Sequence, residues 1–443
     1  PISLRYPTTH MSSPLHHLLS VARALGATDD LRELLTIIIA ALRDALHAER
    51  ASVFVFDPTT DELFTYVAHG IDDSQSLQEI RIPATRGVAG AALQHRATLN
   101  IPDAYADDRF NPEVDRRTGF RTRSILALPL IAEGEVIGVA QALNSDRGAF
   151  DGSDEELGEA LAAQAAVAIR RARLQEDRAM RLKLERDLDI AREIQQRTFP
   201  RRAIEAPGYD IAGWNEPAES TGGDAYDIIP IRFTDRGAAR PLEPDSKDPA
   251  EGAVLLLADA TGHGVGPALS VTQLRAMLRI ALRAGASLAE AARYLNNQLC
   301  EDLPGNRFIT AWIGLLDARA HTLTTFSAGQ APLFHFIAGE NRTNNINADM
   351  MPMGIMPLDE LSLSDPISLE PGDIYAVVSD GILESFNENE KEFGDARTIE
   401  IIEGHRSESS ESIIEHTRAA VEAFTHGAPA ADDRTMIIIR RVH

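Results

Sequence analysis

One cysteine stands among 443 residues. Cys300 cannot form a disulfide within the chain, and a lone thiol fits a reducing compartment. Long apolar runs are missing too: none approaches the roughly 18–20 residues that span a bilayer. The opening "PISLRYPTTH" has neither the charged start nor the apolar stretch of a signal peptide. These absences lead to the expectation of a cytoplasmic protein with no membrane partner. Positive charge is scarce: 43 Lys and Arg face 67 Asp and Glu, a formal net charge of −24. That balance excludes a general nucleic-acid binder, because phosphate backbones reward Lys and Arg, and an anionic membrane would repel it. An acidic chain does suit a protein that gathers divalent cations.

At 44% hydrophobic and 25% charged, the chain is globular and long enough for two or three domains. Residues 1–14, with Met11 after the opening decapeptide, read as a tag or unstructured start. Residues 16–49 carry apolar side chains at helical spacing, interrupted by "GATDD", which predicts two helices, the second capped by the Thr-Asp-Asp stretch. "ASVFVFDPTTDELFTYVAHG" alternates, turns at Asp57-Pro58 and alternates again, and "ILALPLIAEGEVIGVAQALNS" does the same around Glu133-Gly134. Hairpins between helices predict an α+β domain over residues 15–173. No Pro or Gly falls between Gly158 and Pro200, so a long helix is expected there, with a linker at 174–200. Val167, Leu174, Leu184, Leu188 and Ala191 form a narrow apolar seam. The seam suits a short coiled coil and hence a homodimer; the other reading is a single helix packed on its neighbours. Residues 201–443 alternate strand patterns ("YDIAGWNEP", "AVLLLAD", "FITAWIGLLD", "TLTTFSAG", "IYAVVSD", "TMIIIRR") with helical ones, predicting antiparallel sheets covered by helices, with a surface loop at 234–252.

Several acids in this half sit beside small residues or apolar strands. Asp224 follows two glycines in "STGGDAYD". Asp259 ends "LLLAD" and Asp380 ends "YAVVSD", while Asp432 and Asp433 precede "TMIIIRR". Hard divalent cations take oxygen ligands, and several carboxylates must converge to hold two of them. Glycines beside the acids let backbone approach and leave room for hydrated ions. Taken singly, each Asp is as well explained as a turn former, and Asp259 also suits a cap for a helix starting near Gly266. His263 reads either as a base or as a solvent-facing loop residue.

In order, "LERDLDIAREIQQRTFP", "STGGDAYDI", "LLLADATGHGVGPALS", "FSAGQAPLF", "MPMGIMP", "YAVVSDGILESFNENEKEFG" and "DDRTMIIIRR" resemble the SpoIIE/RsbU-type branch of the PPM metal-dependent Ser/Thr phosphatases over roughly residues 184–443. The resemblance implies a β-sandwich flanked by helices with a centre of two Mn²⁺ or Mg²⁺ ions. It implies metal ligands at Asp224, Asp259, Asp380 and Asp432, with Ala260 offering its carbonyl to metal-bound water and Tyr226 and Asp227 in support. Two ions activate a water for in-line attack on a phosphoserine or phosphothreonine, without a covalent nucleophile. The implied substrate is a phosphorylated anti-sigma-factor antagonist. Gln330 stands in "SAGQ" where relatives usually carry His, and no arginine can be assigned to phosphate binding.

Residues 15–173 resemble a GAF domain. "LNIPDAYADDRFNPEVDRRTGFRTRSILALPL" is similar to the GAF domains of cyclic-nucleotide phosphodiesterases. By that resemblance Asp115, Thr118 and Thr122 line a cyclic-nucleotide pocket, where hydroxyls suit the phosphate and the carboxylate a base N–H. Of the associated Asn-Lys…Phe-x-x-x-Asp-Glu signature this chain has Asn144, Phe150, Asp154 and Glu155, with Ser145 in the lysine place; the lysine's internal salt bridge is therefore expected to be lost. The expected whole is a ligand-regulated protein phosphatase. The alternatives are a GAF domain that only dimerises, a catalytically silent GAF–PPM scaffold that sequesters a partner, and a phosphatase of small phosphate esters.

Overall fold

The computed structural model describes residues 14–65, 80–200, 204–234, 237–243, 246 and 248–443. Residues 1–13 of the expected start lie outside them. The chain divides into two compact units, Pro1–Lys183 and Leu184–His443.

In the first unit, α1 (Pro14–Gly26) and α2 (Leu31–Ala45) precede strands β1 (Ala48–Asp57), β2 (Glu62–Thr65) and β3 (Ile80–Pro83). Then come α3 (Gly87–His95), β4 (Leu99–Ile101), α4 (Glu113–Thr118), β5 (Ile125–Ala132), β6 (Glu135–Ser145) and α5 (Gly152–Gln196), whose residues from Leu184 on belong to the second unit. The Thr-Asp-Asp stretch does cap α2: the Asp30 side chain accepts from Glu33 N at 2.9 Å, satisfying an orphan amide. The six strands form one antiparallel sheet in the order β3-β2-β1-β6-β5-β4. Alternation along β5 sends Leu126, Leu128 and Leu130 against α2 and α5, and Ile125 and Ala127 toward α3. Each fully buried Leu or Ile in these two layers contributes about 1.5–3 kcal/mol. α5 stops at Gln196, short of the expected Pro200. The proline disfavours helical backbone at Phe199, whose ring instead stacks on Tyr226 with centroids 5.4 Å apart.

The second unit holds β7 (Ile204–Ala206), β8 (Tyr209–Glu216), β9 (Asp224–Phe233), β10 (Ala239–Pro241), β11 (Gly252–Ala260), α6 (Val265–Arg283), α7 (Leu288–Asp302), β12 (Ile309–Asp317) and β13 (Thr322–Ala328). These are followed by β14 (Leu333–Ile337), β15 (Arg342–Ile346), β16 (Ile367–Ser368), β17 (Ile374–Val378), α8 (Asp380–Leu383), α9 (Gly394–Gly404), α10 (Ser410–Phe424) and β18 (Arg434–Arg441). Two antiparallel six-stranded sheets result, β10-β9-β11-β12-β13-β16 and β15-β14-β17-β18-β8-β7. Leu255, Leu257 and Trp312 of one meet Tyr375, Val377, Ile437 and Ile439 of the other, so the sheets face each other as a sandwich. Helices α6 and α7 cover the outer face of the first sheet through Val271, Leu274, Leu278, Leu295 and Leu299. Helices α9 and α10 cover the second through Ile402, Ile413 and Val421. The fold class read from the sequence holds. Two local readings change: "DAYDIIPIRF" is a full strand, and β10 occupies part of the stretch expected to be loop. β10 pairs with the edge of β9 from Ala239 to Pro241, which a polar, proline-containing stretch conceals.

Candidate functional site: a carboxylate cluster at the ends of the sandwich

Asp224 opens β9 and Asp259 lies one residue from the end of β11, and antiparallel register sets the two directly opposite each other. Two-residue periodicity then decides which way they face. Asp224 shares its parity with Tyr226 and Ile228, and Asp259 with Leu255 and Leu257, all part of the core between the sheets. Both carboxylates therefore belong to the inner faces, at the sandwich's end. The other sheet reaches them through Thr435, whose hydroxyl donates to Asp224 Oδ2 at 2.6 Å.

Asp380 begins α8 directly after β17. Ser379 before it joins the two strand ends: its Oγ donates to Asp433 O at 3.2 Å and accepts from Thr435 N at 2.9 Å. Asp432 and Asp433 separate in role. Asp433 is buried, and its carboxylate accepts from Ala218 N at 2.7 Å and Asp224 N at 3.1 Å. Asp432 is exposed and accepts from Asp433 N at 2.8 Å.

The sparse side chains of these loops have a steric cause. A Cβ on Gly222 would lie 2.7 Å from Asp433 Oδ2, and one on Gly223 would lie 2.9 Å from the Ala260 carbonyl. One on Gly381 would meet Asp433 O at 2.0 Å. Gly262 and Gly264, at φ +94° and +88°, carry the chain through the left-handed turn between β11 and α6.

Electrostatically the cluster is short of positive charge. Burial, and then Asp259, push Asp224 well above the carboxylate range. Burial, with Asp380 and Asp432 next, pushes Asp259 up to about 7. Asp380 is raised by burial, Asp432 and Glu384, and Asp433 chiefly by burial. Among the described residues no Lys, Arg or His forms an ion pair with Asp224, Asp259, Asp380 or Asp432. A cation of the kind that takes oxygen ligands would relieve Asp224, Asp259 and Asp380, so the donor set fits a hard divalent ion.

The neighbouring polar residues brace this arrangement. Asp227 faces the opposite way from Asp224, onto α6. It is fully buried there, with Arg279 Nε and Nη2 donating at 2.6 and 2.8 Å, and Arg275 adds an ion pair with its Nε 2.9 Å away. Gln330 spans the two sheets, accepting from Thr310 at 3.2 Å and donating to Val378 O at 2.9 Å. His263 is largely exposed and lies 3.2 Å from Glu219. Sequence reasoning passed over Thr435, Ser379 and Gln195, although each lies inside a quoted motif. Gln195 Nε2 donates to Gly222 O at 2.7 Å while its Oε1 accepts from Gly222 N at 3.1 Å, two residues before Asp224.

In the first unit Asp115 and Thr122 do meet, but they satisfy each other. Asp115 accepts from Thr122 N at 2.7 Å, Thr122 Oγ1 at 2.8 Å and Tyr105 Oη at 3.1 Å. Thr118 ends α4, and its side chain lies outside the described residues. Ser145 in the lysine place makes no ion pair, as expected, and the buried Asp154 pairs instead with Arg147, which also lies 3.4 Å from Asp151. The cation comes from two residues further on, in the turn after β6, where a long guanidinium arm reaches the start of α5.

Two family models match parts of the chain. Residues 30–169 match the GAF domain model, and residues 249–442 match the model of Stage II sporulation protein E (SpoIIE). The chain is 33% identical over 168 residues to the probable 3',5'-cyclic phosphodiesterase pde-5 of Caenorhabditis elegans, covering 35% of this chain and 23% of that protein. It is 38% identical over 119 residues to the dual 3',5'-cyclic-AMP and -GMP phosphodiesterase 11A of Takifugu rubripes, covering 25% and 13%. It thus spans less than a quarter of these curated relatives' length. Among solved structures, the SiaA-PP2C domain of Pseudomonas aeruginosa is 21% identical at a TM-score of 0.48, over 59% of this chain and 98% of that one.

Proposed function

We propose that this chain, in which a GAF domain precedes a SpoIIE-type PPM phosphatase domain, is a ligand-regulated, metal-dependent protein phosphatase. Its substrate is a phosphoserine or phosphothreonine on a partner protein, and the family resemblance points to an anti-sigma-factor antagonist. One observation carries the reading: buried and half-buried carboxylates from both sheets converge with no cationic side chain paired to Asp224, Asp259, Asp380 or Asp432 among the described residues.

Asp224, Asp259, Asp380 and Asp432, with the Ala260 carbonyl, would hold two Mn²⁺ or Mg²⁺ ions. When bound, the ions supply Lewis-acid activation of water and neutralise charge on the phosphoryl oxygens. The protein's part is positional. Thr435 orients Asp224, the Asp433 carboxylate anchors the backbone amides around "GGD", and the glycines let Asp433 and the Ala260 carbonyl close on that loop. Asp432 is taken as the ligand rather than Asp433 on the support that it is exposed, whereas each Asp433 oxygen holds a backbone amide, of Ala218 or Asp224.

The GAF domain is the regulatory unit, and the names of the relatives put a 3',5'-cyclic nucleotide first among ligands to try. Asp115 already accepts three donors, and its Oδ1 takes only one of them, which leaves that oxygen to accept a base N–H.

The test is Mn²⁺-dependent phosphate release from a phosphoserine protein by wild type and Asp259→Asn. Turnover lost in a variant that keeps its fold supports the reading. Equal rates would remove the carboxylate assignment, and no turnover by either, even without the GAF domain, would favour a silent scaffold.

A further inference from the structure

A second group of metal-ligating side chains lies on the outer face of the second sheet, and it offers nitrogen as well as oxygen. His405 is the C-cap of α9, Glu408 lies in the turn that follows, and His416 sits two turns into α10. The turn brings the three together. His405 Nδ1 is 2.7 Å from Glu408 Oε1, and His416 Nε2 is 3.1 Å from Glu408 Oε2. The imidazoles stack with centroids 3.6 Å apart, and one ligand atom from each residue lies within 4.8 Å of the others.

The backbone beneath is fixed on both sides. Glu408 N donates to His405 O at 2.9 Å, and Ser409 caps α10 by accepting from Ser412 N. Ser410 N and Oγ hold Asp210 of β8 at 2.7 and 2.8 Å. Ligands mounted on pinned helix ends lose little freedom on binding.

We propose that His405, Glu408 and His416 form a second metal site, for a borderline transition ion such as Zn²⁺, chemically distinct from the all-oxygen carboxylate cluster. Imidazole favours Zn²⁺, Cu²⁺ and Ni²⁺, whereas carboxylate and carbonyl favour Mg²⁺ and Mn²⁺. Zinc bonds of about 2.0–2.1 Å in a tetrahedron set ligand atoms roughly 3.3 Å apart, so the two His–Glu separations need open only slightly. The rings must also turn out of their stack to aim both lone pairs at one ion. All three side chains are partly exposed, at 33%, 40% and 42%, which leaves room for that turn and for a water as fourth ligand. Bound metal replaces the two His–Glu hydrogen bonds and ties α9 to α10, a role independent of the phosphatase reading.

Zn²⁺ titration of the full chain tests this, with Asp380→Asn as background to separate the carboxylate site. We expect one Zn²⁺ equivalent that persists in Asp380→Asn and is lost in Asp380→Asn carrying His405→Ala, His416→Ala or Glu408→Gln. Co²⁺ bound there gives the intense visible bands of a tetrahedral nitrogen-containing site, absent from the same variants. Circular dichroism in chelator identifies which variants keep the fold, and those are the ones scored. Folded variants that take up as much Zn²⁺ as their Asp380→Asn parent would overturn the site.

Discussion

Asp432 and Asp433 are adjacent in sequence and opposite in surroundings. The Asp433 carboxylate occupies two backbone amides, and a buried donor left unpaired costs about 1–3 kcal/mol. Asp433→Ala should therefore lower the melting temperature clearly, while Asp432→Asn should abolish Mn²⁺-dependent turnover at unchanged or higher stability. Thermal melts beside phosphate release separate the two, and a reversed pattern would exchange the residues' roles. Asp259 adds a pH signature. Its carboxyl is pushed up to about 7 by burial and by its acidic neighbours, against about 3.9 in an unfolded chain. The folded state thus binds the proton more tightly, so in chelator this residue's contribution is present below about pH 4 and is lost as pH rises through about 7. Melting temperature against pH should fall less steeply over that window in Asp259→Asn than in wild type; parallel curves would contradict the shift.

At the scale of elements, the last turn of α5 grips the loop that presents Asp224. Gln195 makes a two-point amide contact with Gly222 and is itself buried. Gln195→Ala leaves both Gly222 groups without this partner and frees the "GGD" loop. The expected result is a higher Mn²⁺ concentration at half-maximal rate with a modest drop in melting temperature. An unchanged metal requirement would reduce Gln195 to a helix-end contact. On the far side of β9, the Asp227 pairs with Arg275 and Arg279 fasten the same strand to α6, so the ligand strand is fixed from its other face as well.

For the whole molecule the open matter is a second copy. Val167, Leu174 and Leu184 of the α5 seam are exposed at 62%, 59% and 60%, while Leu188 and Ala191 are half-buried, and the dimer expected from the sequence would cover the exposed three. We expect a dimer in sedimentation velocity and a monomer for Leu174→Asp/Leu184→Asp. A monomeric wild type would leave the seam as exposed surface. Among the described residues no helix is long and apolar enough to cross a membrane.

Local order determined much of this protein. Alternation in "ILALPLIAEGEVIGVAQALNS", the Asp30 cap and the run of "VLLLAD" into a glycine-rich turn were legible because period, capping and turn chemistry are nearest-neighbour properties. The acids of the candidate site were legible for the same reason, each marked by its own small neighbours. What each one does was not. Asp224 and Asp259 are 35 positions apart, and strand register alone sets them face to face. The separate fates of Asp432 and Asp433, the Arg147–Asp154 pair standing in for an absent lysine, and the Gln195 grip on Gly222 depend on hydrogen bonds and ion pairs made after folding. Asp433 and Asp224 lie 209 positions apart and Gln195 and Gly222 lie 27 apart, so only the fold brings these partners together.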